Sequence, residues 1–252
     1  MKKIIVTLVI SFFYSFSFAQ FTYYAAAKAG LSMREQPNTS AKVLEKIAYG
    51  EKLVTVTDEN QPVAIATEGF NAFWWKVKYN NKTGYIVNSY VLPMPPPKAG
   101  VKTLSDFFSQ VSTKAGSPLL VKKSEAALNE MGESTITKQL FKNGMEWQEE
   151  KGYENGSNLY LLPDFNIEQC FLLVRLLGQY PDIISEKDPF PVKNTNTKIE
   201  GGTKSVEVQR EKYDGKPGPV QKIKIVLEQG AITEFEIFTL GTQALIFWTS
   251  GV

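Results

Sequence analysis

The residue types that this chain lacks decide more of its chemistry than those it has. None of its 252 residues is histidine, which excludes a Ser-His-Asp triad, a Cys-His pair and any His-ligated zinc. The one cysteine, Cys170, stands in Ile167-Glu-Gln-Cys-Phe-Leu-Leu-Val, the most apolar run beyond the N-terminus. A reactive thiolate needs a cationic or polar neighbourhood. Cys170 has neither that nor an imidazole base, so it reads as a small buried hydrophobe, and alone it cannot close an intramolecular disulfide. Carboxylates are the only abundant catalytic groups left. A glycosidase needs two of them, roughly 5–10 Å apart across a sugar. Glu146, Glu149, Glu150, Glu154, Asp164, Glu168, Asp182 and Asp188 are present, but no spacing among them sets one apart from a solvated surface charge. Asp182, Glu186 and Asp188, close to Pro189, make a weak cation clamp at most. No phosphate-cradling Gly-rich loop, Cys-Cys metal spacing or carboxylate-rich calcium loop occurs. No catalytic residue, metal site or cofactor is expected.

The elements that hold these residues begin after a segment of a different kind. Lys2 and Lys3 precede Ile4 to Phe18, which carries no charge, and Ser17-Phe18-Ala19 supplies the small residues of a signal-peptidase site. Residues 1–19 read as a signal peptide cleaved before Gln20. The apolar run is shorter than the roughly 20 residues of a membrane-spanning helix, so an uncleaved anchor is the lesser alternative. No cysteine follows to take a lipid, and no later segment is apolar enough to span a bilayer. The expectation is a periplasmic or secreted protein with no membrane span after cleavage. The precursor has 28 Lys+Arg and 26 Asp+Glu; subtracting Lys2 and Lys3 leaves 26 of each. A neutral mature chain argues against a nucleic-acid partner. At 43% hydrophobic the chain can build real cores, and its length favours two modest domains.

Residues 22–93 read as all-β. Leu31 and Met33 share a strand face, and Pro37-Asn-Thr-Ser40 is turn chemistry. Val43, Leu44 and Ile47 follow, then Gly50 as a turn before Leu53-Val-Thr-Val56. Trp75, Val77 and Tyr79 alternate with Trp74, Lys76 and Lys78; Asn80-Asn81 and Gly84 bracket a turn, and Tyr85-Ile-Val87 closes the set. Five short strands so punctuated suggest a small barrel, with Trp75 and Val77 pointing in and Trp74 out.

Gly30-Leu-Ser-Met-Arg34, Pro37, Val43-Leu44, Gly50, Val54-Thr-Val56, Trp74-Trp-Lys-Val77, Lys82-Thr-Gly-Tyr-Ile86 and Ser89-Tyr-Val91 occur in the order of a known family. The segment resembles the bacterial SH3-type domain. That resemblance implies an SH3-like barrel that binds a peptide or cell-wall component in exported bacterial proteins. Counting strand faces leaves Trp74 outside such a barrel, and the candidate groove residues are then Trp74, Tyr85, Tyr90 and Tyr24, with Arg34 or Glu35 at the rim. Flat rings give large contact area with little rotamer entropy to lose, although the same rings can simply close a very small core. Two features depart from the family. Glu35-Gln36 replaces a pair of small residues, and 17 residues, Thr57 to Phe73, stand where the family spends a handful. This insertion, with Val63-Ala-Ile-Ala66 and Phe70, is expected to form its own hairpin at the binding face.

Residues 94–100, with three consecutive prolines, read as a stiff polyproline linker or, less readily, as a ligand for a groove. Residues 101–252 read as an α+β domain of no recognised family, an antiparallel sheet packed against one or more helices. Leu104, Phe107, Phe108 and Val111 have helical spacing, and Ser124 to Met131 suits a second short helix. Asn143-Gly144 and Asn155-Gly156 signal hairpins between strands at Ile136–Phe141, Met145–Glu150 and Leu159–Leu162. Asn166 with Gln169 makes a capping box for a helix that Gly178 and Pro181 end. Near the C-terminus, Ile223, Ile225 and Leu227 must share a face with Phe235 and Ile237. That parity requires an odd-length loop, taken as Glu228-Gln-Gly230, with Lys224 opposite Glu234 and Lys222 opposite Glu236. Ala244 to Trp248 is a final buried strand.

The function expected is that of a non-catalytic envelope protein whose partner is a cell-wall peptide or another envelope protein. An inhibitor or immunity-like protein acting on a wall hydrolase comes second, and a carboxylate-only glycan hydrolase third.

Overall fold

The computed structural model describes residues 21–57, 60–122, 135–152, 155–213 and 216–251. The signal segment 1–19, the helix expected between Ser124 and Met131, and Glu154 lie outside them. The described residues are mostly β, in two sheets with two α-helices.

The first region contains β1 (Thr22–Ala25), β2 (Leu31–Arg34), β3 (Val43–Ile47), β4 (Lys52–Thr55), β5 (Ala64–Thr67), β6 (Phe70–Tyr79), β7 (Lys82–Val87) and, after a 3-10 turn at Asn88–Tyr90, β8 (Val91–Leu92). The pairing order is β3-β2-β7-β6-β4-β1-β8, with β5 bonded to β6 off that path. The path ends at β3 and β8, and among the described residues no pairing joins those ends into a closed barrel. β6 and β7 are connected by Asn80-Asn81, with φ of 46° and 61°. Both central residues of a two-residue hairpin turn must accept positive φ, and asparagine tolerates it better than most residues.

The second region contains α1 (Leu104–Val111), β9 (Leu119–Lys122), β10 (Thr135–Leu140), β11 (Glu146–Lys151), β12 (Asn155–Leu162), α2 (Ile167–Leu177), β13 (Thr195–Ile199), β14 (Gly202–Tyr213), β15 (Lys216–Gln229), β16 (Ala231–Leu240) and β17 (Gln243–Gly251). They form one antiparallel sheet in the order β13-β14-β15-β16-β17-β12-β11-β10-β9. Two meanders meet where β12 pairs with β17, from Asn155↔Gly251 to Leu162↔Ala244.

The local signals for α2 hold. The Asn166 side chain accepts from the Gln169 N–H at 2.8 Å, and Gln169 Oε1 accepts from the Asn166 N–H at 3.1 Å. Gly178, left-handed, donates to the Val174 carbonyl at the other end. The Asn143-Gly144 turn also forms, closed by a 2.9 Å bond from the Phe141 N–H to the Met145 carbonyl. Asn155-Gly156 instead lies in β12, and the reversal precedes it, where the Gly152 N–H meets the Asn155 carbonyl at 2.9 Å.

The β15–β16 hairpin keeps the expected parity but runs two residues closer to its turn. Gln229 pairs with Ala231, and Gly230 alone, at φ 74°, reverses the chain. Ile223 therefore faces Ile237, Ile225 faces Phe235, and Lys224 stands directly opposite Glu236. The expected charge pairs form diagonally: Lys224–Glu234 at 2.9 Å and Lys222–Glu236 at 2.8 Å.

One core runs across the joint between the two regions. The larger core takes in Phe107 and Phe108 of α1, Cys170, Phe171 and Leu173 of α2, and Ile223, Phe235, Ile237 and Ile246 of the second sheet. It also takes in Ala26, Phe70, Ala72 and Leu92 of the first region. Only a smaller cluster, with Met33, Ile47, Leu53, Val77 and Ile86, belongs to the first sheet alone. The proline segment is packed rather than spaced out. Pro96 and Pro97 are buried, Gln110 Nε2 donates to the Pro96 carbonyl at 3.0 Å, its Oε1 accepts from the Lys98 N–H at 2.8 Å, and the Tyr49 hydroxyl donates to the Pro97 carbonyl at 2.9 Å.

Candidate functional site

The candidate site is built on β6, whose ten residues serve two structures. Its first half pairs with β5 from Phe70 to Phe73, and its second half pairs with β7 from Trp74 to Tyr79 and touches β4 at Val77 and Lys78. Phe70, Ala72 and Trp74 are buried along the first half, and Val77 along the second. The buried positions thus change from even to odd numbers at Trp75-Lys76, both of them half-buried. Strict alternation had placed Trp75 inward and Trp74 outward. Trp74 is only 6% exposed, and Trp75 is the more open of the two. The inserted hairpin draws Trp74 to its own buried face.

A groove of about 730 Å³ opens along this strand. Its aromatic lining is Phe21, Tyr23, Trp74, Trp75 and Tyr85, with Pro37, Val56, Pro62 and Val63 beside them and Thr55, Asn60, Gln61 and Lys76 supplying polar groups. Tyr23 packs on Trp75 with ring centroids 4.9 Å apart, and the Lys76 ammonium lies 5.9 Å from the Tyr85 ring centroid. The groove holds Trp74 and Tyr85 from the expected set. Sequence reasoning missed Phe21, Tyr23, Trp75 and Lys76 as lining. The signal for Trp75 was its adjacency to Trp74, overridden by counting faces.

The other expected residues go elsewhere. Arg34 and Tyr90, again with Trp74, line a second groove of about 580 Å³ between residues 27–34 and β5. Arg34 Nη1 is engaged by the Ala41 carbonyl at 2.6 Å, holding its own turn. Tyr24 and Glu35 line neither groove: Tyr24 sits in the ladder opposite Lys52 and Leu92, and Glu35 is exposed beside a turn. Burial and then a hydrogen bond to Glu68 push the Tyr90 hydroxyl above its ordinary range.

The insertion forms the expected hairpin, and it reaches both ways. Asn60 to Val63 wall the large groove, and the Trp74 N–H donates to the Val63 carbonyl at 2.9 Å. At the far end, Glu68-Gly69 is a two-residue turn with φ of 46° and 80°. A Cβ on Gly69 would collide with the Phe190 carbonyl. Gly69→Ala should therefore undock the hairpin tip and lower the melting temperature, as differential scanning calorimetry would read; an unchanged melt would contradict this close approach.

Five of the eight carboxylates considered for catalysis have structural partners. Glu146 pairs with Lys138 at 2.6 Å and Glu149 with Lys151 at 3.1 Å, and Glu150 accepts from the Ser157 hydroxyl at 3.3 Å. Glu168 accepts the Asn71 N–H at 3.1 Å. Burial raises its pKa, opposed by that bond and by the charge of Arg210. Asp188 accepts from Ser185 Oγ and N–H at 2.8 and 3.0 Å, and Glu186 pairs with Lys28 at 2.6 Å. Among the described residues no group of three His, Cys, Asp or Glu side chains is placed to hold a metal ion. Cys170 is fully buried, and burial drives its thiol far above the usual range. We expect it to resist alkylation in the native protein and to react at once in denaturant; prompt native labelling with iodoacetamide would contradict the packing.

No helix among the described residues is long and apolar enough to cross a membrane. No curated protein and no solved structure matches the chain. Residues 29–91, which carry β2 to β7 and both grooves' central strands, match the family model of the bacterial SH3 domain, and with it comes the suggestion of a cell-wall or peptide-binding role.

Proposed function

We propose that the protein is an exported, non-catalytic binding protein of the bacterial cell envelope, acting in the periplasm or outside the cell. Its SH3-like region, read as a small barrel, recognises a peptide or cell-wall component, and the second region, read as an α+β domain, presents a partner surface. The observation that carries this reading is the aromatic groove of about 730 Å³ on the region that matches the SH3 family. Concave sites lined by rings with a few polar groups are the usual form of ligand pockets. Thr55, Asn60, Gln61 and Lys76 are the polar side chains that a ligand in the groove would meet. The test is co-sedimentation of the purified protein with isolated cell-wall sacculi, comparing wild type with Trp75→Ala.

A second reading, an inhibitor or immunity-like protein that grips a wall hydrolase, is favoured by one feature. Phe238 and Phe247 are half-exposed on β16 and β17, on the opposite side of the sheet from buried Ile237 and Ile246. Retention of a single envelope protein, rather than of sacculi, would select it.

A further inference from the structure

The inserted hairpin ties the ligand groove to the second region. Its groove end, Asn60 to Val63, and its turn, Glu68-Gly69, are the two ends of β5, about 13 Å apart along an extended strand. The turn is held at three points. The Glu68 carbonyl accepts the Phe190 N–H at 2.7 Å. The Glu68 carboxylate pairs with Arg175 Nη1 at 2.9 Å and is bonded by the Tyr90 hydroxyl. Phe70, next after the turn, stacks on Phe190 with centroids 5.2 Å apart and lies under the Arg175 guanidinium at 5.8 Å.

Arg175 belongs to the last turn of α2, where a cation suits the helix dipole. Its side chain is 11% exposed, and its Nε is buried with no hydrogen-bond partner. The guanidinium is therefore compensated chiefly by Glu68, and a buried charge that loses its one partner is costly. Burial opposes ionisation of Glu68, but the bonds from Tyr90 and Arg175 outweigh it and hold the carboxyl below its ordinary range. The pair stays charged at neutral pH.

We propose that Arg175, which does not line the large groove, is a positioning residue for ligand binding. It sets the placement of the β5–β6 hairpin, and through the Val63–Trp74 bond it sets the wall and floor of the groove. The second region is thus a working part of the recognition site. The binding half of this inference rests on the groove reading above; the positional half does not.

The test records indole N–H signals by two-dimensional NMR alongside sacculus affinity, for wild type, Arg175→Met, Arg175→Lys and Glu68→Gln. We expect Arg175→Met to shift the Trp74 and Trp75 signals while Trp147, in β11, stays in place, and to weaken binding by about tenfold, within the usual range of site-to-site coupling. Arg175→Lys, which can still donate to Glu68, should restore both readouts in large part. Glu68→Gln, at a half-exposed side chain, should move the same two signals even where Arg175→Met fails to fold. Unmoved Trp74 and Trp75 signals in Glu68→Gln, or Arg175→Lys behaving like Arg175→Met, would overturn the proposal. Wild type that ignores sacculi while the indole signals respond as expected would sink the groove's ligand and leave the positional link standing.

Discussion

Phe70→Ala is expected to cost about 3–5 kcal/mol of unfolding free energy, the usual range for deleting a buried phenylalanine ring. Phe70 is 4% exposed and touches four side chains. Its ring stacks on Phe190 at 5.2 Å, meets Phe171 of α2 edge-on at 6.2 Å, contacts Tyr90 at 6.3 Å and lies beneath Arg175. A residue from an insertion of the first region thus fills the core of the second. Domains commonly hold only 5–15 kcal/mol in total, so the loss is a large share. Because the major core crosses the joint, wild type should unfold in one transition by tryptophan fluorescence and far-ultraviolet circular dichroism together. Phe70→Ala should lower the midpoint without splitting off a stable remainder. Two well-separated transitions in wild type, or a loss below about 1 kcal/mol in the variant, would contradict a shared core.

The second large effect is on binding. Trp75→Ala should weaken retention on sacculi by about thirtyfold or more, which corresponds to about 2 kcal/mol, the threshold for an interface hot spot. Trp75 lies in the groove floor, half-buried and braced by Tyr23 at 4.9 Å. A braced ring has little rotamer freedom to lose when a ligand lands on it. Trp248→Phe, far along β17 and stacked on Tyr180, is the matched control and should bind like wild type. Equal losses in both variants would mean that damage to folding, not loss of a contact surface, explains the Trp75 result.

Features with a local cause were legible in the sequence. Asn166 and Gln169 are three residues apart and satisfy each other's backbone, so the start of α2 needed no tertiary information. The same holds for Asn143-Gly144, and parity was enough to put Ile223, Ile225, Phe235 and Ile237 on one face. Parity could not distinguish a three-residue loop from Gly230 alone, since both are odd, and the register came out two residues off. β13, Thr-Asn-Thr-Lys-Ile, has almost no buried side chain; its pairing with β14 makes it a strand, and no apolar period announced it. Of the six expected groove residues, Trp74 and Tyr85 line the large groove, but the face of Trp74 depends on a hairpin that docks against Phe171 and Phe190, a hundred or so positions away in sequence. A strand counted in isolation cannot show that one half faces a different core.

The most direct measurement of the central claim is one incubation with two readouts: purified protein with isolated sacculi, followed for protein in the pellet and for sugars in the supernatant. The account predicts saturable pelleting that Trp75→Ala weakens about thirtyfold or more, with no soluble sugar released. Protein that stays in the supernatant, or sugar that appears there in proportion to protein and time, would contradict it.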